Sequence, residues 1–374
     1  MKRERGGKFA AGGVYISYPF CGQKCTYCNF ASGVHPTALE QEYLRPLMAE
    51  IRGHGWEWVP DTVYLGGGSP SRLGLPALEA ILQAVPGRPW REATIEAAPG
   101  EITRERARGW RACGINRVSL GVQSFVEAEL RLTGRRHTAQ RVAEDAGILR
   151  QAGIDRLNVD LIAGLPAQTL ASWEESLEWV ERLGVGHVSV YMLEVDEDSR
   201  LGRELVHGGW RYGAPKTPEE ETTVQIYRRA AERLEAAGIL RYEISNYARP
   251  GEESVHNLKY WRREPYAGFG SDAHSFDGRE RSRNAETVWE YLERWRDGLP
   301  AKVEATPAHP GEERFFLGLR LTDGIELERL DWERHREAIN RFLQANLVER
   351  DGRRLRLTAR GMLLSNEVFQ EFLA

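Results

Sequence analysis

Three of the chain's four cysteines, Cys21, Cys25 and Cys28, stand within eight positions of one another in the stretch "YISYPFCGQKCTYCNF", residues 15–30. Thiolates are soft ligands, suited to zinc or to iron and sulfide. A closed structural zinc site wants four protein ligands, so zinc here would have to borrow His35 or the distant Cys113. A [4Fe–4S] cube takes one ligand per iron, and three thiolates leave its fourth iron open to a small molecule. A third reading is a group of thiols with no metal. In a reducing compartment, such spacing points to metal or redox chemistry before structural disulfides.

A second chemical signal is "YLGGGSPSRL", where Gly66, Gly67 and Gly68 run into Ser69. Consecutive glycines let the backbone approach a ligand and leave its polar groups free to bind. Alone the signal is weak, since it has neither the lysine of a P-loop nor the spacing of a dinucleotide fingerprint. Beside an open-site cluster it gains weight.

Both stretches follow short β-branched runs. Residues 14–18, 62–68, 93–97, 117–123, 156–164 and 187–193 read as strands, and helical patterns fill 38–53, 75–85, 101–113, 138–153 and 170–183. Six strands with five crossover helices predict a mostly parallel α/β sheet, either open and doubly wound or rolled into a barrel. Polar residues at the strand ends favour rolling. The cysteines follow the first strand and the glycines end the second, while Glu96, Gln123 and Asp160 lie at or near the ends of the third, fourth and fifth. An open sheet gathers ligands at one switch point, whereas a barrel collects them from every strand at one rim. The expectation is a partial (β/α)6, TIM-like barrel.

Composition excludes other classes. The 374 residues are 41% hydrophobic and 28% charged, with a net charge of −4 from 51 basic and 55 acidic side chains. That balance advertises no nucleic-acid partner. No apolar run is long enough to span a membrane, and the basic start "MKRERGGKFAAGG" lacks the apolar core of a secretory signal, so a cytoplasmic address is expected. Beyond about residue 195 the pattern changes. A helix over 218–238 leads into a stretch rich in aromatic and polar residues, of the kind that carries function or covers a site. From about 306, helices surround "LVERDGRRLRLT", which reads as a hairpin with an Asp-Gly turn. The expected division is a core over 1–195, a covering segment over 196–305 and a winged-helix-like module over 306–374, the last packing or capping and not binding DNA, for want of a clean basic recognition face.

Taken together, these motifs resemble the radical S-adenosylmethionine (SAM) superfamily. More narrowly, "YPFCGQKCTYCNF", "YLGGGSPS", "IEAAPGEI", "INRVSLGVQSF", "LTGRRHT", "NVDLIAGLP" and "YEISNYARPG…HNLKYW" are similar to the oxygen-independent coproporphyrinogen III oxidases and their HemW-type heme-chaperone relatives, over nearly the whole chain. The resemblance implies a [4Fe–4S] cluster on Cys21, Cys25 and Cys28, with SAM on its open iron. Tyr15, Tyr27, Gly67, Gly68, Ser69 and Glu96 would then lie along SAM, and Gln123, Arg135 and Asp160 match positions that bind a second SAM in the oxidases. Those three could instead brace the barrel rim by hydrogen bonding. The oxidases usually carry a further cysteine in C-x3-C-x2-C-x-C, where this chain has Asn29 and Phe30. The chaperone branch carries H-N-x-x-Y, matched by His256, Asn257 and Tyr260, and neutral imidazole is a natural iron ligand. From the residues alone, His256 and Asn257 are better read as capping a helix or holding a loop, and it is the family motif that points to heme ligation.

The resemblance therefore implies a heme chaperone with heme, an electron donor and a heme-acceptor protein as partners. The alternative is oxidative decarboxylation of coproporphyrinogen III, and radical SAM chemistry on another substrate is a third reading. Peripheral contact with a membrane is left open. Two departures stand beside the cofactor: Ser17 where the family commonly has histidine, and Ala98 where it has asparagine.

Overall fold

The computed structural model describes residues 11–373; the basic opening stretch, residues 1–10, lies outside them. Six parallel strands form the centre: β1 (Ala11–Tyr18), β2 (Val59–Gly67), β3 (Glu92–Ala97), β4 (Arg117–Gln123), β5 (Arg156–Ala163) and β6 (His187–Met192). The crossovers are α1 (Thr37–Gly53), α2 (Leu75–Ala84), α3 (Arg104–Ala112), the short α4 (Glu127–Leu132), α5 (Ala139–Gln151) and α6 (Leu170–Leu183). The six predicted strands and five predicted helices are all present, and only α4 was not anticipated. Thr103, Thr138 and Thr169 cap α3, α5 and α6 by accepting a backbone N–H from the first turn, which satisfies donors that a helix start leaves unpaired.

The strands alternate in a way that fixes inside and outside. Val14, Ile16, Val63, Leu65, Ile95, Val118, Leu120, Val159, Leu161, Val188 and Val190 are fully buried in one apolar core with Tyr43, Leu47, Ile51, Leu78, Trp110, Leu149 and Trp173 of the helices. The residues between them, such as Tyr64, Glu96, Ser119, Asn158, Asp160, His187 and Ser189, hydrogen-bond one another across the concave side, where Thr62 bonds His256. With a period of two, apolar residues hold the helices and polar ones line the lumen.

The segment after 195 departs from the expectation of an aperiodic cover, because it extends the sheet at both edges. After α7 (Arg200–Val206) and α8 (Glu220–Ala236), the short β7 (Leu240–Arg241) and β8 (Asn246–Ala248) add antiparallel strands beside β6. α9 (Val255–Trp261) follows, then β9 (Tyr266–Phe269) pairs parallel with β1, and β10 (His274–Phe276), β11 (Glu280–Asn284) and β12 (Lys302–Pro307) continue antiparallel, with α10 (Val288–Arg296) packed against α1. The result is a twelve-stranded sheet with two free ends, β12 and β7, so the barrel is partial. These strands are two to six residues long and nearly without β-branched residues, so they carry too little period to be read as strands.

The C-terminal module has its own core, in which Phe315, Leu319, Ile339, Leu355, Val368 and Phe372 are fully or almost fully buried. It consists of α11 (Pro310–Gly318), β13 (Ile325–Glu326), α12 (Arg329–Gln344), β14 (Val348–Asp351), β15 (Arg354–Leu357), α13 (Ala359–Leu363) and α14 (Ser365–Gln370). The predicted hairpin is β14–β15, turning at Gly352 with φ +58°, and β13 joins it as a third strand. Among the described residues, no helix is long and apolar enough to cross a membrane.

Candidate functional site

The loop between β1 and α1 is closed at its base by backbone bonds from Cys21 N–H to Gly33 O (2.8 Å) and from Gly33 N–H to Pro19 O (2.9 Å). Cys21, Cys25 and Cys28 are free and partly exposed along it. The glycine loop after β2 lies directly across the loop's first residues, with Gly68 N–H on Tyr18 O at 2.8 Å and Ser69 N–H on Phe20 O at 2.9 Å. A Cβ on Gly68 would stand 2.8 Å from the backbone nitrogen and oxygen of Phe20, and Gly67 has φ +106°. Only glycine lets these two loops touch, which is why the thiols and the glycines share one rim.

The donor set fits a cube better than a single ion. Cys113 caps the end of α3, before β4 begins, so the length of that strand, roughly 20 Å, separates it from the rim. His35 is wedged edge-on between Phe20 and Trp289, with ring centroids 5.6 and 6.4 Å away. Ser32 has a buried hydroxyl without a partner beside Cys21 and Cys28, a donor suited to cluster sulfur. Burial holds the Cys21 and Cys28 thiols protonated, a bias that metal binding inverts.

Inside the rim stands a carboxylate. Glu96 accepts from Tyr64 Oη (2.9 Å) and Gly67 N–H (3.2 Å), and Tyr15 stacks on Tyr64 at 6.1 Å. Burial first, and the nearby Asp160 second, push the Glu96 carboxyl up to about 7. Asp160 is held by Ser119 Oγ (3.0 Å) and Asn158 Nδ2 (2.7 Å), and burial raises it as well. A cationic ligand would restore charge balance to this pair. Tyr15, Gly67, Gly68, Ser69 and Glu96 are thus grouped beside the cysteine loop.

Arg135 lies across the rim. Its Nε donates to Tyr27 Oη (3.0 Å), its Nη1 to Gly121 O (2.6 Å), and the guanidinium stands beside the Cys25 thiol. Gln123 ends β4 with φ +70°, and its amide and Arg135 flank Gly121, so this pair shares one corner while Asp160 sits in the lumen. Ser17 is buried beside Gly67, and Ala98 N–H bonds Ser71 Oγ at 3.4 Å. The position after the trio is structural, since Asn29 donates to Asp196 at 2.9 Å. Phe30 next to it is 65% exposed.

The helix carrying H-N-x-x-Y closes the opposite, N-terminal mouth of the barrel. Glu92, the first residue of β3, caps α9 by accepting from Ser254 Oγ (3.2 Å) and from the backbone N–H groups of Val255 (3.0 Å) and His256 (3.0 Å). His256 points into the lumen, fully buried, with Nδ1 on Thr62 Oγ1 (2.9 Å), Nε2 on Tyr260 Oη (2.7 Å) and its ring stacked on Tyr64 at 5.3 Å. Burial, then Lys259 and Arg117, lower its pKa to about 3. Asn257 is half-buried. The motif and the cysteine loop therefore face the same lumen from opposite ends, joined by Tyr64. Sequence reasoning did not single out Tyr64, Thr62, Glu92 or Asn158; their signal is the polar residue alternating with buried apolar ones along each strand.

A parallel half-barrel with an open-site thiol trio defines a radical SAM protein, and residues 15–180 match the Radical SAM superfamily model while residues 305–364 match the HemN C-terminal domain model. In fold, the chain is similar to the coproporphyrinogen III oxidase HemN of Escherichia coli, with a TM-score of 0.83 at 21% identity over 97% of this chain and 89% of that one. It is 37% identical to the heme chaperone HemW of Synechocystis over 85% of this chain and 80% of that protein. Against the heme chaperone HemW of Bacillus subtilis it is 33% identical over 96% of this chain and 98% of that protein. The chain belongs to the HemW heme-chaperone family, and membership of the radical SAM superfamily implies a [4Fe–4S] cluster and SAM.

Proposed function

We propose that this protein binds heme and hands it to an acceptor protein, using a SAM-loaded [4Fe–4S] cluster held by Cys21, Cys25 and Cys28. The observation that carries the reading is the end-to-end similarity to heme chaperones in a chain whose fourth clustered position is Phe30 and not a thiol. Bound SAM would supply a cation beside Glu96 and Asp160, with Tyr15, Gly67, Gly68 and Ser69 along it; Tyr27 and Arg135 would steady the thiol loop. Gln123, Arg135 and Asp160 are the group from which a second SAM would be held. Free thiols suit a reducing, cytoplasmic setting. An electron donor and the acceptor protein complete the proposal.

His256, Asn257 and Tyr260 are the heme contacts suggested by the H-N-x-x-Y resemblance. For His256 to ligate iron it must give up Thr62 or Tyr260, so ligation there would accompany withdrawal of α9 from the barrel mouth. The test is anaerobic. Reconstituted protein is loaded with hemin, and transfer to an apo-b-type cytochrome is followed by the acceptor's absorption. Transfer faster than from free hemin, lost in Cys25→Ala, is expected. No transfer, with conversion of coproporphyrinogen III to protoporphyrinogen in the presence of SAM and reductant, would sink the chaperone reading in favour of the oxidase.

A further inference from the structure

We propose that Tyr64 is a positioning residue that couples SAM binding at Glu96 to closure of the barrel's N-terminal mouth by α9. The coupling rests on the SAM site read above and adds a regulation of that site. On the cofactor side, Tyr64 Oη donates to Glu96 Oε1 at 2.9 Å. A Cβ on Gly66 would stand 3.0 Å from Glu96 Oε1 and from the rings of Tyr15 and Tyr64, so the three side chains meet over that glycine. On the other side, the Tyr64 ring stacks on His256, with centroids 5.3 Å apart and planes inclined by 27°. His256 is the residue through which α9 reaches the lumen, bonded to Thr62 and Tyr260 at 2.9 and 2.7 Å. One side chain therefore touches both the cofactor's carboxylate and the helix that stops the mouth.

The direction of the coupling follows from charge. The Tyr64 hydroxyl is a fixed donor, because burial first, and then Glu96 and Asp160, hold its pKa well above the ordinary value. A hydrogen bond to an ionised acceptor is shorter and roughly twice as strong as one to a neutral group. A cation held beside Glu96 keeps that carboxyl ionised, and the Tyr64 bond then tightens. Of the titratable groups that face Glu96, namely Asp160, Tyr15, Tyr64, Tyr191 and Tyr260, only Asp160 is a competing anion, since burial keeps the four tyrosines neutral. With its hydroxyl tethered, the Tyr64 ring stays in place as the shelf for His256. α9 has little room for a partial response, because a Cβ on Gly13 of β1 would stand 3.1 Å from the His256 ring and 3.2 Å from Lys259 Cδ. A helix packed so closely is either docked or withdrawn. Bound SAM therefore favours the closed mouth. By linkage, withdrawal of α9, which ligation of heme by His256 requires, lowers SAM affinity by the same factor.

The experiment uses the full-length reconstituted protein, kept anaerobic, with SAM as the probe. Hydrogen exchange of the α9 amides is measured with and without SAM, and SAM affinity is measured by equilibrium dialysis across pH. In wild type, SAM should slow α9 exchange roughly tenfold, within the usual span of coupling between sites. Tyr64→Phe keeps the ring and removes the tether. It should lose that protection, and its SAM affinity should rise with pH at a midpoint above the wild-type value of about 7, because the lost hydrogen bond had favoured the Glu96 carboxylate. His256→Gln breaks the stack from the other side and should lose the protection while keeping the wild-type midpoint. Circular dichroism checks the folding of both variants. Equal protection by SAM in wild type and Tyr64→Phe, or an unchanged midpoint in Tyr64→Phe, overturns the coupling, as does a wild type that binds SAM with no change in α9. Failure of wild type to bind SAM overturns the SAM site and the coupling together. Protection of α9 by SAM in a protein that takes up no hemin sinks the heme reading and leaves the coupling standing.

Discussion

In the proposed SAM site, Glu96 is the side chain on which the cofactor's affinity would turn. Its pKa in the folded protein, about 7, is raised from 4.5, so the stability it allows is complete below about 4.5 and is lost as pH rises through about 7. A cation bound beside it reverses that loss. SAM affinity is therefore expected to rise with pH through about 7 and then level off. Binding at pH 6 should be about tenfold weaker than at pH 8, a factor that follows from one pKa unit. Equilibrium dialysis at several pH values measures this, and Glu96→Gln should abolish the slope. Gly68 offers a second test. A methyl group 2.8 Å from the Phe20 backbone must push the two loops apart, so Gly68→Ala should cost about 1–3 kcal/mol and lower the iron and sulfide retained after reconstitution. The cysteines, glycines and Glu96 were legible because each has a type and spacing that few other roles require. Tyr64 was not, since a tyrosine in a strand looks like packing until Glu96 and His256 are seen on either side of it.

At the scale of elements, α9 behaves as a stopper whose inner face is polar. Removing the imidazole leaves the hydroxyls of Thr62 and Tyr260 without partners and opens space under Tyr64. His256→Ala is expected to lower stability by about 2–4 kcal/mol, read by urea unfolding, with His256→Gln recovering part of it. A role confined to an open heme site would leave stability unchanged. The central strands and crossover helices were readable from period and capping. The flanking strands β7 to β12 were not, because each is short, and the two that join them to the centre do so through neighbours distant in sequence, β9 with β1 and β8 with β6. Nothing in "HNLKYW" announces that its helix stands in a barrel mouth, since the partner that caps it, Glu92, lies more than 160 positions earlier.

Across the whole molecule, the barrel and the C-terminal module have separate cores and meet through backbone pairing of Glu243 with Leu321, packing of Ile244 on the module's core, and ionic and aromatic contacts. Arg320 stacks on Trp261 of α9 at 4.3 Å and faces the fully buried Glu243 at 3.8 Å, while Arg281 of β11 grips Glu313 of α11 at 2.7 Å. Arg320→Ala should leave Glu243 with no charge partner and cost about 3–5 kcal/mol. Hydrogen exchange would then rise in both α9 and α11, whereas a change confined to α11 would argue that the module is only a passive appendage. The capping of α9 by Glu92 has an outcome in time as well as in space. As the chain leaves the ribosome, β3 is made long before residues 254–256 exist, and until they arrive its leading carboxylate has no N-terminal helix turn to accept from. The nascent half-barrel is obliged to wait with one mouth open, a state in which chaperones, proteases or an incoming cluster have access that the finished protein denies them.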